Sequence, residues 1–205
     1  AKSIKNIHGV LHKALKQAVL IGYLRTNPTE ACILPRIIRK EMHPLEEDQV
    51  AVFLREVQGH PHEYLYKIAL FTGLREGEVL GLGWEHIDFQ AGTLTVKRQL
   101  RREQKKGGEY YFSPPKNNKS RCLTLAPSVI QLFRLQKLEQ NSMRMEAGDA
   151  WEEHGLIFTN QTGGYLSYRT VYDCFKRIIR NIGAPATRFH DLRHTFAVAS
   201  IKKRQ

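Results

Sequence analysis

In RFHDLRHTF, residues 188–196, two histidines, two arginines and an aspartate are interspersed with Phe189, Leu192 and Phe196. His190 and Arg193 are three apart, so on a helix both face one ligand. Arg193 supplies a planar, permanently charged fork that matches two phosphate oxygens. His190 donates a hydrogen bond or moves a proton near neutral pH. His190 and His194 also stand at the spacing of a metal-binding pair. Three features weigh against a metal: Asp191 stands where a general-base glutamate would be, no third ligand is evident downstream, and Arg193 would share the turn with a dication. A charged amphipathic surface helix remains an alternative from this segment alone.

A second stretch, FTGLREGEVLGL (71–82), carries Arg75 and Glu78. Gly73 permits the left-handed turn that stops a helix. Leu74 anchors the turn in the core, and Arg75 opens the next helix, where unpaired N–H groups favour an anion. Glu78 lies on the same face and holds the guanidinium in one orientation while its other donors face a ligand. The plain alternative is a surface ion pair worth roughly a few tenths of a kcal/mol.

A third stretch, PPKNNKSRC (114–122), reads as a hairpin tip flanked by strands and offers Lys116, Lys119 and Arg121. A lysine there reaches a ligand and donates a proton; a solvated basic turn is the alternative. The run KRQLRREQKK (97–106), with Arg98 and Arg101, suits tracking of a polyanion backbone, or plain solvation, better than catalysis. Two arginines, a histidine and a lysine together can neutralise the pentavalent phosphorane of a phosphoryl transfer without a metal.

Helices and short strands must hold these groups. Apolar periodicity predicts helices over 4–24, 45–57, 62–73, 75–82, 128–146 and 168–183, and a last helix from about His190. Alternation predicts strands over 93–100, 107–114 and 120–125 in one small antiparallel sheet. A lone first helix cannot bury its own apolar stripe. PRIIRKEMHP (35–44), bounded by prolines and rich in basic residues, reads as a linker.

The 205 residues carry 32 Lys+Arg against 20 Asp+Glu, a net charge of +12, which favours a polyanionic partner, nucleic acid first. No run approaches the roughly 18 apolar residues of a membrane span. The basic N-terminus AKSIKNIHGV lacks the apolar core of a signal peptide. Cys32, Cys122 and Cys174 form no CxxC pair and are expected to be buried free thiols.

TGLREGEVLGL, the KNNKSR segment and HDLRHTFA, in this order, resemble the tyrosine recombinase (phage integrase) family. The opening NIHGVLHKALKQAV and the basic linker are similar to integrases of conjugative transposons and of temperate phages of Gram-positive bacteria, so the resemblance spans essentially the whole chain. It implies a mainly α fold with a small antiparallel β-sheet. Residues 1–34 would be the C-terminal helical part of a core-binding domain, 35–44 the interdomain linker and 45–205 the catalytic domain. Arg75 would be the first catalytic arginine, Glu78 the acid that orients it, and His190 and Arg193 the histidine and second arginine. Lys116 would protonate the leaving 5′ oxygen, with Lys119 its rival. Lys119, Arg121, Arg98 and Arg101 would bind DNA.

In that family a tyrosine attacks a DNA phosphodiester and forms a 3′-phosphotyrosyl bond, which another strand's 5′-hydroxyl then attacks. The covalent link conserves the bond energy, so no metal, ATP or other cofactor is expected. The implied partners are double-stranded DNA, further copies of the chain as a tetramer on paired sites, and an accessory DNA-bending or excision factor, in the bacterial cytoplasm and away from any membrane. A catalytically inactive DNA-binding relative of the same fold is the alternative. The sequence departs from the family in one respect: none of its eight tyrosines follows Arg193. No nucleophile is therefore named. The chain is expected to be truncated at both ends and inactive alone.

Overall fold

The computed structural model describes residues 1–37, 41–105, 107–115 and 118–202. They divide into two compact units, Ala1–Glu41 and Met42–Gln205. In the first, α1 (Lys2–Leu20) is followed by a short 3-10 turn, Pro28–Ala31. The helix ends earlier than its periodicity suggests, with Gly22 in the left-handed region at φ 82°. The His8 and His12 rings stack at 5.8 Å. His8 Nε2 lies 3.0 Å from the Thr29 carbonyl and His12 Nδ1 2.8 Å from its hydroxyl. Ile4, Ile7, Val10 and Leu11 stay exposed, as a helix without a packed partner layer in its own unit requires.

The second unit contains α2 (Glu47–Glu56), α3 (Glu63–Thr72), α4 (Glu76–Leu80), α5 (Pro127–Ala147), α6 (Tyr168–Asn181) and α7 (Phe189–Lys202). Its strands are β1 (Ile87–Asp88), β2 (Thr93–Val96), β3 (Gln99–Arg102), β4 (Tyr110–Ser113) and β5 (Arg121–Thr124). Phe53, Tyr66, Phe175 and Phe189 meet in the core from α2, α3, α6 and α7, with Phe175 and Phe189 edge-to-face at 5.4 Å. Buried Tyr66 keeps its hydroxyl satisfied by donating to the Val171 carbonyl at 2.8 Å. This aromatic junction seats α7 against α3, which is what brings the two arginine-bearing segments together.

The strands form two small antiparallel sheets instead of one: β1-β2-β5 and β3-β4. Val96 pairs with Arg121 and Gln99 with Ser113, so the first arm passes from one sheet to the other at Lys97 and Arg98. The 114–122 stretch is therefore not a hairpin tip between paired strands. It leads from β4 in one sheet to β5 in the other, while β3 and β4 make the hairpin. The physical cause lies outside the strands. The end of α4 presses onto β3, and the Gly81 carbonyl accepts a hydrogen bond from Arg98 Nε at 3.0 Å, which turns the chain between β2 and β3. Nothing in the alternation of TLTVKRQL marks that break.

A Cβ at Gly81 would stand 2.7 Å from the Leu100 amide nitrogen and 3.0 Å from Gln99 Cα. Backbone cannot yield as a side chain can, so Gly81→Ala is expected to cost about 1–3 kcal/mol by overpacking. Chemical denaturation checks this; unchanged stability would mean that α4 and β3 separate freely.

Cys32 and Cys122 are exposed and Cys174 is partly buried, contrary to the expectation of buried thiols. Cys122 falls on the outward register of β5, where the two-residue period puts it in solvent. Among the described residues no helix is long and apolar enough to cross a membrane.

Candidate active site

The site forms where α7 crosses the turn between α3 and α4. Gly73 closes α3 at φ 61°, in the left-handed region. A Cβ there would lie 2.6 Å from Phe196 Cδ1, so the ring of α7 packs directly on the turn. Arg193, one turn earlier on α7, donates from Nη1 to the Gly73 carbonyl at 2.6 Å. The glycine thus stops α3, admits Phe196 and anchors Arg193.

Arg75 follows two residues later as the cap of α4. Its backbone N–H donates to Glu78 Oε2 and its Nη1 to Glu78 Oε1, both at 2.9 Å. Arg121 approaches the same carboxylate from β5, with Nη1 on Oε1 at 2.8 Å and Nη2 on Oε2 at 2.6 Å. Glu78 is 1% exposed. Burial alone would raise its carboxyl, but hydrogen bonds from Arg121 and from Arg75, with the Arg121 charge, outweigh it and hold Glu78 at about 2. One buried anion thus pins two arginines.

The start of α7 uses the same local device. The Arg188 backbone N–H and Nε donate to Asp191 Oδ2 at 2.9 Å, and Nη2 donates to Oδ1 at 2.7 Å. Asp191 is wholly buried. It fixes the first turn that carries His190 and leads into Arg193. Partial burial of its ring holds His190 below the usual histidine range. The neighbouring His194, Arg193 and Arg75 add to this and Asp191 opposes it. His190 is therefore neutral near pH 7, able to donate or accept a proton. Burial also lowers Arg193, helped by the charges of Arg75 and Arg121 and opposed by Glu78. These couplings link five cation-capable groups, Arg75, Arg121, His190, Arg193 and His194. Among the described residues each of Arg75 and Arg193 commits one guanidinium nitrogen to the protein, and Arg75 is half-open to solvent.

Beside them, burial pushes Glu76 up to about 7, and its Oε1 has no hydrogen-bond partner among the described residues. His190 and His194 meet edge-to-face at 5.1 Å, and among the described residues no three His, Cys, Asp or Glu gather as a metal cluster would require.

The other residues singled out from sequence fall in different places. Arg98 is tied to Gly81, to Glu85 at 3.1 Å and over the Phe112 ring at 4.1 Å. Arg101 is exposed on β3 opposite Tyr111, and Lys119 is exposed in the connection before β5. Lys116 lies outside the described residues. Sequence reasoning missed the Arg188–Asp191 pair, although its spacing repeats that of Arg75 and Glu78 and was a readable signal. It also missed the Arg121–Glu78 and Arg193–Gly73 links, which no local spacing announces.

The sequence profile of the phage integrase family matches residues 43–204. The chain belongs to the phage integrase family. Among curated relatives it is 28% identical over 213 residues to a "Tyrosine recombinase XerC-like" protein of Caldanaerobacter subterraneus subsp. tengcongensis, covering 96% of this chain and 54% of the relative. It is 28% identical to an integrase of Streptomyces ambofaciens, covering 95% of this chain and 52% of that one. The chain spans about half the length of the curated relatives it matches. In fold it is similar to the Tn1549 transposon integrase in complex with transposon right end DNA. There the TM-score is 0.82 at 23% identity, covering 100% of this chain and 68% of that one. The same integrase with circular intermediate DNA gives a TM-score of 0.75 at 25% identity, covering 95% of this chain and 65% of that one. The matched family region contains Arg75, Glu78, Arg121, His190 and Arg193.

Proposed function

We propose that this chain is the catalytic part of a site-specific DNA recombinase that integrates or excises a mobile element by metal-independent transesterification. The observation that carries the reading is the convergence, within the family-matched region, of Arg75 and Arg193 beside a neutral His190. Two guanidiniums neutralise the phosphorane as charge builds on its oxygens. A neutral imidazole moves a proton at the attacking oxygen. Lys116, with Lys119 as rival, would protonate the 5′ oxygen as it leaves. The nucleophile would be a tyrosine downstream of Arg193, giving a 3′-phosphotyrosyl intermediate. Residues 1–34 would belong to a core-binding domain, 35–44 to a linker and 45–205 to the catalytic domain. Double-stranded DNA would be the substrate, bound by a tetramer in the bacterial cytoplasm, with Lys119, Arg101 and Arg98 near its backbone.

The test incubates the full-length protein, in EDTA, with fragmented genomic DNA of the source organism and captures protein–DNA adducts that survive detergent. Enrichment of one sequence, joined to protein through a 3′ phosphate, is the expected result. Binding without any adduct would replace this reading with that of an inactive DNA-binding relative. Affinity for the enriched duplex is expected to fall steeply with salt, each phosphate contact adding about −0.9 to the logarithmic slope. A flat response would remove phosphate contacts as the source of binding.

A further inference from the structure

Among the described residues, Arg121 is the one arginine near this site whose two terminal nitrogens are both taken by a carboxylate from another element. We propose that Arg121 is a positioning residue of the phosphoryl-transfer site: by holding both oxygens of Glu78 it orients the carboxylate that aims Arg75 and leaves the charge of Arg75 uncancelled. This rests on the recombinase reading and deepens it.

Charge and geometry both point this way. A carboxylate paired with Arg75 alone would form a nearly neutral couple, and a neutral couple draws a phosphate weakly. With Arg121 bound on both oxygens, the Arg75–Glu78–Arg121 group keeps one net positive charge. Arg193 adds a second, which matches the charge that develops on a transferring phosphoryl group. Arg75 holds Glu78 through one side-chain nitrogen on Oε1 and its backbone N–H on Oε2, and its own side chain is half-open to solvent. Arg121 adds a bidentate, charge-assisted grip on the same two oxygens, so the orientation of the carboxylate does not depend on Arg75 alone. Strand β5 supplies the rigidity: Arg121 pairs with Val96, whose side chain is fully buried. The charge of Arg121 also reaches Arg193, so it lies within the electrostatic field of the site. Among the described residues the charged groups facing Glu78 are Arg75 from the start of α4, Arg121 from β5 and, at longer range, Arg193 from α7.

The experiment follows single-turnover cleavage of the duplex identified by adduct capture, from pH 5 to pH 9, in the full-length protein. Arg121→Met, Arg121→Lys, Glu78→Gln and the double variant Arg121→Met/Glu78→Gln are compared with the unsubstituted chain. Arg121→Met is expected to cleave about tenfold to a hundredfold more slowly, less than the loss of a direct contact, with unchanged DNA affinity. Its deficit grows as pH falls, because burial raises Glu78 once Arg121 is gone and the protonated acid releases Arg75. The double variant has no such acid limb and cleaves at the rate of Glu78→Gln, and Arg121→Lys recovers part of the activity. Cleavage by Arg121→Met at the full rate with an unchanged pH profile overturns the proposal, as does a loss of affinity that accounts for the whole defect. If Arg121→Met does not fold, the double variant decides, since it buries no unpaired carboxylate. A rate well below that of Glu78→Gln would mean that Arg121 acts elsewhere. Failure of the unsubstituted protein to cleave overturns the recombinase reading itself, and this inference with it.

Discussion

Arg193→Ala in the full-length protein is expected to slow strand cleavage by about two to three decades while leaving most of the DNA affinity intact. Arg75→Ala is expected to do the same. Phosphate binding in the ground state is shared among many basic groups in a chain of net charge +12, so losing one weakens it little. The phosphorane concentrates charge where only a few donors converge, and there each donor counts heavily. Arg193 has a second attachment, its Nη1 bond to the Gly73 carbonyl, which aims the remaining nitrogens away from the turn. Arg193→Lys keeps the charge but cannot hold Gly73 and face a phosphate at once, so an intermediate rate is expected. Single-turnover cleavage read beside equilibrium binding separates the two effects. Undiminished cleavage in either alanine variant would remove that arginine from the reacting centre.

Glu78→Gln is expected to lower folding stability at pH 7 by up to about 3 kcal/mol. The buried carboxyl titrates at about 2 in the folded protein against an ordinary value of 4.5. A depressed acid contributes its stability in full above the unfolded value and loses it as pH falls through the folded one. The gap between the unsubstituted chain and the variant should therefore be whole at pH 7, begin to close below 4.5 and nearly vanish at about 2. Urea denaturation at pH 7, 5 and 3 checks this, with roughly half of the gap left at pH 3. A gap that does not change with pH would show that the loss comes from altered packing and not from the ion pairs. The same variant should also cleave slowly, because an amide holds neither arginine with the charge that now fixes both.

The sequence by itself determined the helices and the residues with chemistry. Gly73 as a helix stop, Arg75 and Glu78 three apart, and His190 and Arg193 on one helix face all follow from local rules of spacing and backbone freedom. Periodicity located α2, α3, α5 and α6 because a buried face repeats wherever a helix packs on a core. Tertiary structure alone decided how these pieces share partners. Arg121, attributed to DNA binding from sequence, sits on Glu78, and Arg193 on the Gly73 carbonyl, across 43 and 120 positions of chain. No local pattern encodes such contacts, because they depend on which element lies against which. The division of one expected sheet into two has the same origin. Close approach of α4 to β3 at Gly81 turns a strand whose own alternation is unbroken. Local sequence determines backbone conformation and the face a side chain takes, whereas the partner of a buried charge is set by packing between elements, which desolvates that charge and demands that it be paired.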